Sequence, residues 1–218
     1  MTTNLGGVIP DPEPAPSTPV RPSPLALTVL ALLVFEPLHP YGMQRLIRQW
    51  GKDKVVNVGQ RANLYKTIKR LLDAGLVAVR QTERDHQYPE RTVYEITPAG
   101  VAVAMRWLRH MVAAPRNEFP EFPAALSFLM ALGPDGARQA LEERAAALAE
   151  MLAGHERDLR DAEADGVPRV ASVETEYVRA MTAAELAWVT AIVDELRAGT
   201  LSWDLDSLEA AAGPYRSG

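Results

Sequence analysis

Side chains that can bind phosphate or the edge of a base recur along one short stretch of the chain, at Asn63, Lys66, Lys69 and Arg70. At about 100° per residue they project from one side of a predicted helix, with Asn63 near the edge and the small Ala62 beside them. Cationic side chains neutralise phosphates or donate to guanine, an asparagine amide pairs with adenine, and an alanine methyl packs against the thymine methyl group. This face therefore predicts a helix that enters the major groove of DNA.

An amphipathic helix whose polar face is merely solvated would carry the same pattern. The surrounding charge favours DNA, because all four lysines of the chain lie between Lys52 and Lys69. Arg84, His86 and Arg91 add a second basic segment shortly after the helix. Such a cluster is the electrostatic footprint of a nucleic-acid-binding surface.

The charge of the chain is divided between two regions. The net charge of −5 and the isoelectric point near 5.5 argue, as averages, against a nucleic-acid partner. Residues 21–116 nevertheless contain 15 Lys and Arg against 7 Asp and Glu, whereas residues 117–218 contain 8 against 19. The sequence therefore predicts a basic part that binds DNA and an acidic part with a different partner.

The composition is that of an ordinary globular protein. With 218 residues, 47% hydrophobic and 23% charged, the chain suits one large domain or two small ones. The lack of cysteine excludes disulfides, thiolate nucleophiles and zinc sites that need sulfur. The longest apolar run, residues 25–35, is too short for a membrane span of about 20 residues, and no signal-peptide cleavage site follows it. We expect a cytoplasmic location.

Capping residues and apolar spacing predict the elements that position the basic helix. Ser23-Pro24 is a typical helix start, Glu36-Pro37 is a stop, and Gly51 and Gly75 end two further helices. Two short runs, residues 76–80 and 91–96, alternate apolar and polar side chains and predict a β-hairpin with a long charged tip. Three helices followed by a hairpin are the order of a winged helix-turn-helix. The predicted helices occupy residues 25–35, 41–50, 61–74 and 99–112.

Four motifs of this region occur together in a known protein family. They are His39-Pro40-Tyr41-Gly42, the pair Leu64-Tyr65, the turn Gly75-Leu76-Val77, and the run YEITPAG from Tyr94 to Gly100. Over residues 25–112 the chain resembles the PadR family of transcriptional regulators. The segments EFPAALSFL near Glu121 and EYVRAMTAAELAWV from Glu176 are similar to the helical C-terminal region of the longer members.

The resemblance implies a mainly α fold, with an N-terminal winged helix-turn-helix and a helical C-terminal domain for dimerisation and effector binding. It also implies a homodimeric, usually repressing regulator that leaves its operator when a small molecule binds. We expect a disordered or polyproline-like tail at residues 1–24, which hold seven prolines, a DNA-binding domain at 25–112, a dimerisation domain at 117–205 and a second tail at 206–218. The expected DNA-contacting residues are Tyr41, Arg61, Ala62, Asn63, Tyr65, Lys66, Lys69, Arg70, Arg84, His86 and Arg91.

The acidic half carries a pattern of its own. From Leu141 onward, apolar residues and His155 are spaced four and three residues apart, which is the seam of a coiled coil and needs a partner helix. The last predicted helix, about residues 172–198, has an apolar surface too wide for one flat contact, which fits either core packing within one chain or a bundle between subunits. The expected dimer contacts are Leu141, Leu148, Leu152, Leu159, Met181, Trp188 and Ile192.

Ligand chemistry and catalysis leave weaker signals. The aromatic side chains of Trp107, Tyr177, Trp188 and Trp203 either line a pocket for a small aromatic effector or belong to the core. No histidine spacing suits a metal, and no GxSxG, phosphate-binding glycine loop or HExxH occurs, so we expect no metal, cofactor or enzymatic activity. The alternative to DNA binding is a winged-helix module that contacts another protein.

Overall fold

The structure, a computed structural model, describes residues 20–56, 61–83 and 91–204. The chain divides between Asn117 and Glu118 into two compact units. Within the described residues, no helix combines the length and apolar character needed to cross a bilayer. The predicted tail at residues 206–218 and the first 19 residues of the predicted tail at 1–24 lie outside the described ranges. Residues 20–24 are described, and the prediction of a disordered tail is wrong for them, because Val20 packs against the core and Ser23 caps a helix that begins at Pro24. The predicted domain limits stay predictions.

The first unit has the predicted order of three helices, a hairpin and a fourth helix. A short 3₁₀ turn at Lys52–Lys54 lies between the second and third helices. This arrangement confirms the predicted fold class of a mainly α chain with an N-terminal winged helix-turn-helix. Its elements are α1 (Pro24–Phe35), α2 (Pro40–Gln49), α3 (Arg61–Asp73), β1 (Val77–Glu83), β2 (Arg91–Ile96) and α4 (Pro98–Ala113).

Three helices of this unit begin with a capping residue followed by proline. The side chain of each cap accepts a hydrogen bond from the amide three residues later, which satisfies one of the free amides of the first turn. In α2 the acceptor is Nδ1 of His39, which lies 2.6 Å from the amide nitrogen of Gly42. Each helix begins at its proline, one residue earlier than predicted, because proline occupies the first helical position. The three pairs are Ser23-Pro24, His39-Pro40 and Thr97-Pro98.

The core of the first unit is built around α1, which is apolar on all sides and packs against α3, α4 and β2. Trp107 of α4 is 6% exposed and belongs to this core. Its indole therefore packs inside the first unit, which favours the core interpretation for this residue over the effector pocket. The largest fully buried side chains are Val29, Leu30, Met43, Ile47, Leu64, Ile68, Leu71 and Val77.

The hairpin is antiparallel and longer than predicted, because β1 continues to Glu83. Its register pairs Val77 with Ile96, and it shifts between Val79 and Gln81, where one residue is left unpaired. An isolated bridge joins Leu38 to Tyr94 of β2 through two backbone hydrogen bonds of 3.0 and 2.9 Å. The tip of the hairpin, residues 84–90, lies outside the described residues.

A tight junction fixes α4 against the start of the hairpin. The hydroxyl of Thr97 donates to the carbonyl oxygen of Gly75 at 2.8 Å and accepts from the amide of Gly100 at 3.0 Å. A Cβ on Gly100 would lie 2.0 Å from the carbonyl oxygen of Leu76, so only glycine fits there. The residues TPAG are therefore required by packing as well as by capping.

The second unit consists of helices joined by turns and short loops, with no strand among its described residues. Its longest helices, α6 and α7, pack along each other, and ion pairs such as Arg144 with Glu185 and Glu156 with Arg179 show that they run antiparallel. Short 3₁₀ turns lie at Leu129–Leu132 and Arg169–Ala171. Its helices are α5 (Glu121–Leu126), α6 (Gly133–Ala164) and α7 (Val173–Ala198).

The predicted coiled-coil seam is occupied mainly from within the chain. Leu141 and Leu148 of α6 are buried against Val189 and Val193 of α7 in one apolar cluster. The expectation that this seam must find its partner in a second subunit is therefore wrong for Leu141 and Leu148, because α7 already covers them. His155 lies on the same side of α6, 7% exposed, and its Nε2 has no hydrogen-bond partner within the described part of the chain.

Candidate nucleic-acid interface

The third helix has one buried face and one exposed face, as predicted. Leu64 and Leu71 are fully buried, and Thr67 and Ile68 are 3% and 2% exposed. These side chains fasten α3 to α1 and β1, so the opposite face is held rigidly toward solvent. The exposed residues on α3 include Ala62, Asn63, Tyr65, Lys66, Lys69 and Arg70.

The cations on this face differ in how they are held. The Lys69 ammonium lies 2.7 Å from Oδ2 of Asp73, one helical turn further along. Nη2 of Arg70 donates to the hydroxyl of Thr67 at 3.3 Å, which restrains the guanidinium beside the helix. Lys66 has no anionic partner among the described residues. A bare cation, a restrained guanidinium and a paired cation thus lie within two turns.

An open groove runs between this face and the beginning of α1. Three of the side chains that line it are cations and none is an acid, so it is suited to a negatively charged ligand. We call it the basic groove; its lining residues are Ser23, Leu25, Asn63, Lys66, Thr67, Lys69 and Arg70. The sequence identified Ser23 as a helix cap but gave no signal of its proximity to α3, since that proximity depends on tertiary packing.

Other predicted DNA contacts are only partly described. The side chain of Tyr41 is exposed at the start of α2, with its ring centroid 6.0 Å from that of His39. Arg84 and His86 lie outside the described residues. For Arg61 and Arg91 the structure gives the backbone, at the first positions of α3 and β2. The structure thus brings the α3 residues together, and the wing contacts stay predictions.

The residues predicted for dimer and effector contacts fall into two groups. Tyr177, Met181 and Trp188 are 65%, 55% and 45% exposed on α7. Trp203 is half-buried, and its indole nitrogen donates to the carbonyl oxygen of Met130 at 2.9 Å. Leu152, Leu159 and Ile192 are half-buried. The helix α7 therefore has one apolar face against α6 and a second apolar face that is exposed.

One aromatic cluster surrounds Trp188. The ring of Phe122 packs edge-on against it, with centroids 6.2 Å apart. The Arg144 guanidinium carbon lies 3.5 Å from the centre of the Phe122 ring and its Nε donates to Glu185 at 2.6 Å. The sequence did not single out Phe122 or Arg144, because the contacts that join them come from three different helices.

Comparison with known proteins identifies the first unit and the fold. A model of the transcriptional regulator PadR-like family matches residues 29–106. Comparison with curated protein sequences finds no significant match.

Three solved structures illustrate the likeness in fold. Bacillus subtilis PadR in complex with operator DNA is 16% identical, with a TM-score of 0.66 over 79% of this chain and 98% of that one. The same protein in complex with p-coumaric acid is 16% identical, with a TM-score of 0.62 over the same shares. The Vibrio cholerae virulence activator AphA is 18% identical, with a TM-score of 0.56 over 80% of this chain and 98% of that one. At residues 29–106 the chain therefore carries a domain of the PadR-like family of transcriptional regulators.

Proposed function

We propose that the protein is a homodimeric transcriptional repressor that binds a two-fold operator through α3 and the hairpin and is released by a small aromatic molecule. The observation that carries the proposal is the exposed face of α3, where Lys66, Lys69 and Arg70 project beside Asn63. Such a regulator acts where the DNA is, in the cytoplasm, and needs no catalytic group.

DNA binding follows from the chemistry of that face. Lys66 and Lys69 would neutralise phosphates, and each phosphate contact makes the affinity depend more steeply on salt. The restrained guanidinium of Arg70 suits two parallel hydrogen bonds to guanine, and Asn63 suits adenine. The short side chain of Ala62 leaves room for a thymine methyl. Bacillus subtilis PadR, whose fold is similar, has been solved in complex with operator DNA, which supports DNA binding by this chain.

Dimerisation is supported by apolar surface that the chain leaves uncovered. Tyr177, Met181 and Trp188 form one stripe on α7, at helical spacing. Exposed apolar stripes of this kind are typical of helix bundles formed between subunits. A second stripe lies on α4 and consists of Val101, Met105, Leu108 and Val112. A two-fold dimer would present two copies of α3 to two half-sites of DNA.

The effector is proposed from aromatic side chains and from one relative. Trp188 and Phe122 provide planar walls, and Arg144 provides a cation over the Phe122 ring. Bacillus subtilis PadR has been solved with p-coumaric acid, a planar carboxylic acid, which supports an aromatic effector for this chain.

A gel-shift titration against the DNA upstream of the protein's own gene tests whether the exposed face of α3 binds DNA. Lys66→Glu/Lys69→Glu is expected to weaken binding at least about tenfold, since two phosphate contacts in each subunit become repulsions. Arg106→Glu/Arg109→Glu is the matched control, because it reverses two exposed cations at the same spacing on α4. Equal affinity of the folded, dimeric Lys66→Glu/Lys69→Glu variant and the wild type would contradict the proposal and favour a protein-binding module.

A further inference from the structure

The described part of the chain begins at Val20, which packs against the core of the first unit three residues before Ser23 at the basic groove. Ser23 and Leu25 line the groove opposite Lys66, Lys69 and Arg70. The described residues begin at position 20, so residues 1–19 are tethered within three residues of the groove wall. Binding of these residues to the groove is therefore favoured, because the tether holds them at a high effective concentration there.

The charge of the segment is opposite to that of the groove. Residues 1–20 contain no lysine or arginine, and their only charged side chains are Asp11 and Glu13. Terminal arms that enter the minor groove of DNA depend on arginine and lysine, which are absent here. The segment therefore repels phosphate and is complementary to Lys66 and to the cations beside it.

We propose that residues 1–19 bind in the basic groove through Asp11 and Glu13 and compete there with DNA. The competition rests on the proposed function, since it requires that α3 bind DNA, whereas the docking does not. A two-fold operator that also offers base contacts displaces the segment. DNA that offers phosphates alone competes less well with the segment. The segment therefore raises the ratio of the affinity for the operator to the affinity for other DNA.

The segment is long enough to reach every cation of the groove. Glu13 is ten residues from Ser23, and a proline-rich chain extends about 3.1 Å per residue, giving a reach of about 30 Å. The helix α3 has 13 residues and is about 20 Å long at about 1.5 Å per residue. The reach of Glu13 from Ser23 therefore exceeds the length of α3.

The expected effect is moderate and depends on salt. Exposed ion pairs are individually weak, and two of them on a tether fill the groove only part of the time. Neutralising both carboxylates is therefore expected to tighten DNA binding about two- to fivefold at low salt, and the gain should vanish at high salt.

Zero-length crosslinking of the full-length protein tests the docking without DNA. A carbodiimide joins a carboxylate to a lysine amine only when the two groups touch. The ion pair between Lys69 and Asp73 serves as the internal positive control. Peptide mass spectrometry is expected to find Asp11 or Glu13 joined to Lys66 or Lys69. Crosslinks of the segment to Lys52 or Lys54 alone, or none while the control link forms, would overturn the proposal.

DNA titrations of two neutralised variants test the competition. Asp11→Asn/Glu13→Gln is expected to bind DNA more tightly than the wild type. Asp206→Asn/Glu209→Gln changes the net charge by the same amount at the other end of the chain and is the control. Equal gains in the two variants would overturn competition in the groove.

The two measurements separate this proposal from the function on which it rests. Failure of every variant to bind DNA, together with the expected crosslinks, would overturn the proposed function and leave the docking supported. DNA binding by the wild type without those crosslinks would overturn the docking and leave the proposed function supported.

Discussion

The ammonium nitrogen of Lys69 lies 2.7 Å from Oδ2 of Asp73, on the exposed face of α3. We propose that the Lys69 ammonium binds phosphate, whereas the Asp73 carboxylate paired with it repels phosphate. Asp73→Asn is therefore expected to tighten DNA binding about two- to fivefold and to steepen its salt dependence. Fluorescence anisotropy titrations at several salt concentrations measure both. Asp194→Asn is the control, because Asp194 pairs with Arg197 in the second unit, and weaker binding by Asp73→Asn would contradict the account.

Charges placed on the uncovered stripe of α7 should separate the dimer. Tyr177→Glu/Met181→Glu is expected to sediment as a monomer at micromolar concentration and to bind operator DNA more weakly, since the two half-sites are then bound independently. Both side chains are more than half exposed, so the fold of each chain should survive. Thr190→Glu, an exposed position off the stripe, should leave the dimer intact. A dimeric double variant would place the interface elsewhere.

A methyl group at Gly100 should destabilise the first unit. Its Cβ would meet the carbonyl oxygen of Leu76 at 2.0 Å, and backbone must shift to make room. Gly100→Ala is expected to lower the free energy of unfolding by about 2–4 kcal/mol in urea titrations. Gly154→Ala in α6 is the control, because its nearest neighbour is an arginine nitrogen at 3.8 Å, and it should raise stability by up to about 1 kcal/mol. Equal effects at both sites would contradict the packing described.

Acid should weaken the second unit through Glu142. Hydrogen bonds from Arg138 and Arg197 hold the pKa of Glu142 below its ordinary value of 4.5. A carboxylate with a lowered folded pKa stabilises the fold above its ordinary pKa and loses that contribution as the pH falls through the folded pKa. The melting temperature should therefore fall as the pH drops below about 4.5, and less steeply in Glu142→Gln. Glu143→Gln, whose partner is Gln139 and not an arginine, should follow the wild type.

Local patterns in the sequence were sufficient to predict the winged helix. A cap followed by proline, apolar residues at helical spacing, glycine stops and two alternating runs are each contained within a dozen residues, and they placed α1 to α4 within about one residue. The two faces of α3 followed from the same spacing. These features depend on neighbours along the chain, which a sequence displays directly.

Features that depend on packing between distant segments were missed or misassigned. The seam at Leu141 and Leu148 has the spacing of an intersubunit contact, yet α7 of the same chain covers it. Trp107 belongs to the core of the first unit, and only contact with α1 distinguishes that from a pocket. Likewise, no pattern in the sequence indicates that Ser23 lies close to α3. Spacing identifies an apolar face but not the helix that covers it.

The salt dependence of DNA affinity shows whether α3 binds the DNA backbone. Each phosphate contact contributes a slope of about −0.9 to a plot of log affinity against log salt. Lys66→Gln/Lys69→Gln removes two such contacts from each subunit of the dimer, so the slope should become shallower by about 3.6. Arg106→Gln/Arg109→Gln should leave it unchanged. If the slope for the folded, dimeric Lys66→Gln/Lys69→Gln variant equals that of the wild type, α3 does not bind the DNA backbone and the account is wrong.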